Sequence, residues 1–390
     1  MKKNWIPFLS LVTFSSNLSA GLLPVAEHAD VRCHFEDGAW SCLLKIESDD
    51  DLYDPRIVFL PLSDKPFLGS NAADSGARVT QSSSAAFSFT GAEAGDPLWV
   101  AMQASPGDGE AWPGFDNVQI PSTFGSYIPS DPRVTQTLAR PWIKISLVNY
   151  QGPPGKISHF SMWRSFANQA PVAWMSTFQD SIQNDYFYAA GEHVHLNWGF
   201  TAQGIHRVTF QASAFLGPGA SNPTGPSEPF TLIFSVGTIA RWQATWFDAA
   251  ELANPSISAL SADPDGDGLS NLIEYAFGLN PDLAGHAPLS PGLGLPVHSL
   301  VRENEITFQT LTYARRKAGE RIQPDVYQAQ FSNTLDEPWT SEGVTTLIQG
   351  FPPAQAALNQ DWELVISRRA IDPAAGRGFA RVAVTGGDGY

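Results

Sequence analysis

From Val25 to about Val236 the chain is one short alternating run after another, "ADVRCHF", "WSCLLKIES", "PRIVFLPL", "DPLWVAM", "WIKISLVNY" and "PFTLIFSV" among them, with Gly- and Pro-rich breaks between. A period of two sends successive side chains to opposite faces of a strand, and few stretches carry the 3.6-residue period of a helix. With 33 glycines and 30 prolines in 390 residues, turns are available at every break. The pattern predicts an all-β fold: one large antiparallel β-sandwich over 21–237, a short connector with helical turns over 238–295, and a small C-terminal β-sandwich over 296–390.

The first twenty residues, "MKKNWIPFLSLVTFSSNLSA", set Lys2 and Lys3 ahead of an apolar run and end on small residues, the layout of a secretory signal peptide. Cleavage after Ala20 is expected, although Leu18 stands where a smaller residue is usual. Beyond it no run reaches the about 18 apolar residues of a membrane span. The expectation is a mature chain with no transmembrane segment, located in the periplasm, at the cell surface or outside the cell. Losing Lys2 and Lys3 takes the formal charge from −16 to −18. Such a surface repels nucleic acid and acidic lipid, and cations are its natural partners.

The only two cysteines, Cys33 and Cys42, flank "HFEDGAWS". A two-residue turn at Asp37-Gly38 pairs Glu36 with Ala39. Counting outward, Cys33 meets Cys42 on a non-hydrogen-bonded rung, where Cα atoms approach to about 4.5 Å. A cross-strand disulfide is expected in an exported protein, with two free buried thiols as the alternative.

Three aspartates crowd into "DPDGDGLSNLIE". Numbered from Asp263 as position 1, Asp263, Asp265 and Asp267 stand at 1, 3 and 5, Gly268 at 6, the Leu269 carbonyl at 7, Asn271 at 9 and Glu274 at 12. This is the ligand spacing of an EF-type calcium loop. An outgoing helix with Leu269, Leu272, Ile273, Ala276 and Phe277 on one face, stopped by Gly278 and Pro281, aims Glu274 back at the ion. Pro255 and Pro264 argue against an entering helix, so a structural calcium joint is expected rather than a sensor. A short helix is predicted around Phe247–Leu252, and "LAGHAPLSPGLGLP" reads as linker.

"GEHVHLNWGF" alternates Val194, Leu196, Trp198 and Phe200 with His193, His195 and Asn197. Two imidazoles on one side of a strand are a common start for a zinc site, although two solvated surface histidines are the ordinary case. His159 in "ISHFSMW" and His28 in "EHADVRCHF" stand on other strands. The candidate transition-metal set is therefore His28, His159, His193 and His195, with Asp30 as a further ligand or outer partner and zinc as the preferred ion. His34 reads as exposed, His206 as a packed core histidine, and His286 and His298 as linker.

No His-Glu-x-x-His helix, Gly-x-Ser-x-Gly elbow or phosphate loop occurs. A non-catalytic binding or display protein leads. The alternative is an extracellular hydrolase, by serine or paired-carboxylate chemistry or on an open three-histidine zinc, or a glycan-binding protein stacking sugars on Trp99, Trp112, Trp163 or Trp174. Core packing is the ordinary role for each of these tryptophans.

Two resemblances extend the reading. "WFDAAELANPSISALSADPDGDGLSNLIEYAFGLNP" is similar to the segment before the C-terminal β-domain of exported proteins of Verrucomicrobia-type bacteria, related to thrombospondin type 3 calcium repeats; it implies an accessory calcium module and names no activity. "EHADVRCHFEDGAW", "AGDPLWVAMQASPG", "PGKISHFSMW" and "AAGEHVHLNWGFTAQGIHRVTFQASA", in that order over roughly 22–236, resemble the choice-of-anchor M domain, also called the actinobacterial surface-anchored protein domain. That resemblance implies an exported or wall-displayed domain, in some genomes encoded beside importers of transition-metal type. The family's Gly-His-x-Asp start is here Glu27-His28-Ala29-Asp30, and its Gly-His-Phe-Ser element is Ser158-His159-Phe160-Ser161. Both glycines are replaced and both histidines remain.

Overall fold

The computed structural model describes residues 21–49, 51–69, 72, 75–107, 109–116, 123–189, 191–289, 292–317, 327–335, 338–371 and 378–385. The signal-peptide reading of 1–20 lies outside them. The principal strands of the first module are β1 (His28–Glu36), β2 (Ala39–Ile46), β3 (Val58–Leu62), β4 (Pro97–Ala101), β5 (Trp112–Asp116), β6 (Arg140–Gln151), β7 (Phe160–Arg164), β8 (Val172–Ser176), β9 (Asp185–Ala189), β10 (His193–His195), β11 (Asn197–Phe200), β12 (Gly204–Ser213) and β13 (Phe230–Val236). The connector holds α1 (Thr238–Trp246), α2 (Pro255–Ser258) and α3 (Asn271–Phe277). The terminal module holds β14 (Val297–Glu303), β15 (Ile306–Arg316), β16 (Tyr327–Ser332), β17 (Thr345–Gln349), β18 (Trp362–Ala370) and β19 (Phe379–Val384). The fold is all-β with a small helical connector, as the alternation predicts.

In the first module the largest sheet runs β3–β13–β12–β6–β9, a second runs β8–β7–β11–β4, and a third runs β10–β5–β1–β2. Phe115, Phe160, Trp198, Phe210 and Phe234 meet between them with no solvent exposure. Burying a large apolar side chain contributes about 1.5–3 kcal/mol. The sheets are not purely antiparallel: β3 joins β13, and β1 joins β5, in parallel. Alternation along one strand carries no information about which strand lies beside it.

The first hairpin follows its turn. Asp37 (φ 51°) and Gly38 (φ 83°) take the left-handed conformations of a type I′ turn, and the register runs outward from Glu36–Ala39 to Ala29–Ile46. Cys33 and Cys42 face each other in that register, but both are free thiols and the expected disulfide is not formed. Pairing brings the two Cβ atoms opposite, whereas the sulfur–sulfur bond is a separate oxidation step. Burial, with the neighbouring Cys42 sulfur, pushes the Cys33 thiol well up.

The run 193–200 changes sheets. β10 pairs β5, and beyond Leu196 the chain continues as β11 between β7 and β4. Alternation survives the break, since Val194, Leu196, Trp198 and Phe200 are all buried.

The connector departs from expectation in one place. The main helix is α1, upstream of Phe247–Leu252, because Ile239, Ala240 and Trp242 bury against Phe59, Ile205 and Ile233 of the large sheet. Asp248 does cap, accepting the N–H groups of Ala250 and Glu251 at 2.8 Å each, but only a single 3-10 turn follows before Pro255 opens α2. The outgoing helix α3 is where the spacing puts it, ending at Gly278 with φ 68°. Tyr275 packs against Trp242 on the first-module side, while Ala276 and Phe277 enter the terminal core with Leu311, Tyr313, Phe331 and Val365. The terminal module pairs β14–β15–β18–β17 and, separately, β16–β19. His298 belongs to β14, opposite Leu311, and not to the linker; "VHSLVRE" is a mostly exposed edge strand whose polar residues hide its alternation.

Candidate metal centre

β5 lies between β1 and β10, and its register builds the site. Across it run three rows: His28 beside Trp112; Asp30, Gly114 and His195; Arg32, Asp116 and His193. Facing residues in a sheet share a side, so all of these project from one face. Gly114 is central because it has no side chain. A Cβ there would lie 2.3 Å from Asp30 Oδ1 and 2.8 Å from the His195 ring.

Three imidazoles converge over that gap. His28 Nε2 lies 3.1 Å from Nε2 of both His193 and His195, which are 3.0 Å from each other. Asp30 Oδ2 is 3.0 Å from His193 Nε2 and 3.2 Å from His28 Nε2. A tetrahedral Zn²⁺ with bonds of about 2.0–2.1 Å keeps its ligand atoms about 3.3 Å apart. Five of the six donor pairs stand close to that spacing, and the sixth, His195 Nε2 to the nearer Asp30 oxygen, Oδ1, is 4.0 Å.

Two of the three far nitrogens are anchored. His195 Nδ1 donates to the Pro113 carbonyl at 3.1 Å, and His28 Nδ1 hydrogen-bonds the Glu47 carboxylate. A proton on Nδ1 leaves Nε2 as a bare lone pair. Lone pairs aimed at one point repel unless a cation lies among them. Burial pushes His195 down to about 4, against the opposing Pro113 hydrogen bond and with help from His28 and His193, so the ring is neutral, the form that binds metal. Burial raises the Asp30 carboxyl, and the nearby His28 and His193 oppose that rise. Its Oδ1 is buried with no hydrogen-bond partner among the described residues. The His28 hydrogen bond holds Glu47 below its usual range.

Trp112 closes one side, its ring stacked on His195 at 4.1 Å and lying 4.8 Å from His28. His193 is the open edge, with 48% of its side chain exposed against 16% for His28 and 11% for His195. Gly114, Glu47 and the Trp112 wall escaped sequence reasoning. Glu47 alone left a signal, since the hairpin register that pairs Ala29 with Ile46 sets it directly opposite His28.

His159 does not join the group. β7 and β11 are antiparallel with Phe160 opposite Phe200, which sets His159 beside Thr201. Thr201 lies six residues past His195, beyond the change of sheet, and His159 is outside the His/Asp group. Its ring lies edge-on to Phe178 at 5.0 Å. His206 is the packed core histidine expected, accepting from the Tyr150 hydroxyl at 2.8 Å and donating to the Ala202 carbonyl at 2.9 Å. His34 is partly exposed beside Glu36. Trp99, Trp163 and Trp174 are buried and offer no platform to a sugar.

The acidic loop is a separate group. Asp263, Asp265 and Asp267 each bring an oxygen within 4.8 Å of the others. Asp263 accepts the N–H groups of Gly266 and Gly268 at 2.9 Å each, Asp265 that of Asp267 at 3.1 Å, and Asp267 those of Leu269 at 2.8 Å and Gly285 at 2.9 Å. Gly268, at φ 91°, takes a backbone conformation that costs any other residue.

Glu274 is 1% exposed with Oε2 unpartnered among the described residues. Burial first, then the charges of Asp265, Asp267, Asp263 and Asp282, push it up to about 8. Asp282, which the twelve-residue spacing does not include, belongs to the same field and is pushed up to about 6 by burial, then by Glu251 and Asp265. Asn271, read as a ligand, turns its amide nitrogen elsewhere, to the carbonyls of Ile257 at 2.7 Å and Ala259 at 2.8 Å, and so ties α3 to α2; its Oδ1 is buried and unpartnered. The Leu269 side chain packs toward the terminal core.

Fold and clusters together define a β-rich protein with a His/Asp group and an Asp triad, each able to hold a metal ion. No helix among the described residues is long and apolar enough to cross a membrane. No protein-family description and no curated protein matches the chain. Two solved chains titled "Marsupial T cell receptor" are similar at 8% and 9% identity, covering 75% and 72% of this chain and 68% of each of their own, with TM-scores of 0.13 and 0.12. Likeness at that level carries no argument about fold or function.

Proposed function

We propose that this is an exported bacterial protein, secreted or held at the cell surface, that binds a transition metal, Zn²⁺ by preference, through His28, Asp30, His193 and His195. In this reading Ca²⁺ at the Asp263–Glu274 loop joins its two modules. The observation that carries it is the convergence of three Nε2 atoms within 3.0–3.1 Å of one another beside the Asp30 carboxylate. Asp30 supplies a fourth donor, so an ion bound there needs no water to complete its coordination, which supports capture or display over hydrolysis. The exposed His193 edge supports an ion that exchanges with a ligand over one sealed in the core. The resemblance to the choice-of-anchor M domain fits the same reading.

The test is a zinc titration in competition with a chromophoric chelator. The full chain should bind one Zn²⁺ tightly, and the His193→Ala/His195→Ala variant should lose that binding. Equal affinity in the two proteins would remove the proposal. Elemental analysis of the purified protein checks both ions at once, calcium with one transition metal being the expected result.

A further inference from the structure

The outer face of the large sheet is divided. Around Phe59, Ile205 and Ile233 it is covered by α1. Farther along β6, β9 and β12 it is open and walled by the loops 127–132 and 214–226, forming a cleft of about 810 Å³. Small-ligand sites measure about 300–1,000 Å³. Strand register builds the floor: Lys144 lies between Ser213 and Phe187, and Ser146 between Gln211 and Asp185. Ile143 and Ile145 alternate with them into the core, so these side chains project outward.

Apart from Phe187 the floor is polar, and its charges are paired, as is the remaining charged lining residue, Asp131, which Arg133 holds at 2.6 Å. Lys144 Nζ lies 3.6 Å from Asp185 Oδ2, and the Ser146 hydroxyl donates to Asp185 Oδ1 at 2.5 Å. Gln211 gives one amide N–H to the Ser227 carbonyl at 2.7 Å, which leaves the second N–H and the oxygen for a ligand. The walls are apolar, formed by Phe215, Tyr127, Pro129, Pro223 and Pro226. The Tyr127 and Phe215 rings meet edge-on at 5.0 Å, and burial pushes the Tyr127 hydroxyl up to about 12, so it keeps its proton.

A compensated ion pair disfavours a ligand of either net charge. Hydroxyls that donate and accept suit the amide and serine floor, and the C–H faces of a sugar ring suit the aromatic and proline walls. β6 is paired on both sides along the floor, by β9 and by β12, which closes the middle of the floor to an added peptide strand; β9 is the edge strand of the sheet, so a peptide is the competing occupant that the test includes. We propose that this cleft binds a short neutral oligosaccharide. It lies on a different sheet from the histidine group and does not depend on it.

The experiment is isothermal titration of the full chain with cellotriose, chitotriose, maltotriose and mannotriose, and with triglycine as the peptide probe. At least one sugar should bind, and Phe187→Ala and Gln211→Ala should each weaken it by about tenfold or more, with zinc affinity and thermal midpoint unchanged. Should either truncation lower the midpoint, Ser213→Trp, which fills the cleft, should abolish binding in its place. The proposal is overturned if no sugar binds, if binding survives all three substitutions, or if triglycine binds better than every sugar.

Discussion

The histidine group draws its donors from β1 and β10, 165 residues apart for His28 and His193, whereas the acidic loop takes its donors from the twelve consecutive residues 263–274. In the first, ladders on both sides of β5 hold the donors in place, so the site is assembled by the fold. In the second, the donors ride on a turn, and burial with mutual repulsion keeps Glu274 up at about 8. One group is pre-organised by its neighbours, and in the other the carboxylates repel one another, a repulsion that a bound cation would relieve.

The sharpest way to break this contrast is Gly114→Ala. The added Cβ displaces Asp30 or His195, and zinc affinity should fall by more than the about 10–100-fold that losing an outer partner costs, while the acidic loop is untouched. Competition titration for each ion reads both halves, and normal zinc affinity would mean that β5 does not organise the site. Removing calcium with a selective chelator should come next. A ligand held at about a hundred times its Kd stabilises by about 2.7 kcal/mol, so the thermal midpoint should drop and proteolysis in the connector should accelerate. Glu274→Gln should make the chelator ineffective, and zinc removal should shift the midpoint less than calcium removal.

Glu47→Gln tests the outer support of His28. Zinc affinity should fall about tenfold with the thermal midpoint unchanged; a full loss would make Glu47 a ligand. The smallest effect expected is a pH slope. The folded-state pKa of Glu274 is raised, to about 8 from a usual 4.5, so between those values the folded chain holds more protons than the unfolded one. Stability of the calcium-free protein should therefore fall as pH rises from about 4.5 to about 8. Saturating calcium should flatten the slope, as scanning calorimetry across that range would reveal.

The contrast also explains what could be read from sequence. The loop was legible because its spacing is local and its chemistry is carried by the spacing itself. The shared face of His193 and His195 was legible from alternation, and so was the side of β1 that carries His28 and Asp30. His159 was misassigned because lateral position depends on the β7–β11 register, which no single strand encodes. Gly114 was invisible for the same reason, since its value lies in what flanks it. The helix expected at Phe247–Leu252 is reduced to a single 3-10 turn, because α1 just upstream has the larger apolar face to bury.

The wedge made by α3 has a mechanical consequence. Tyr275 belongs to one core and Phe277 to the other, and Arg316 donates to the Tyr275 carbonyl at 3.0 Å while lying over the Tyr275 and Trp362 rings. Tension applied between the ends of the molecule crosses this seven-residue helix and the acidic turn at its start.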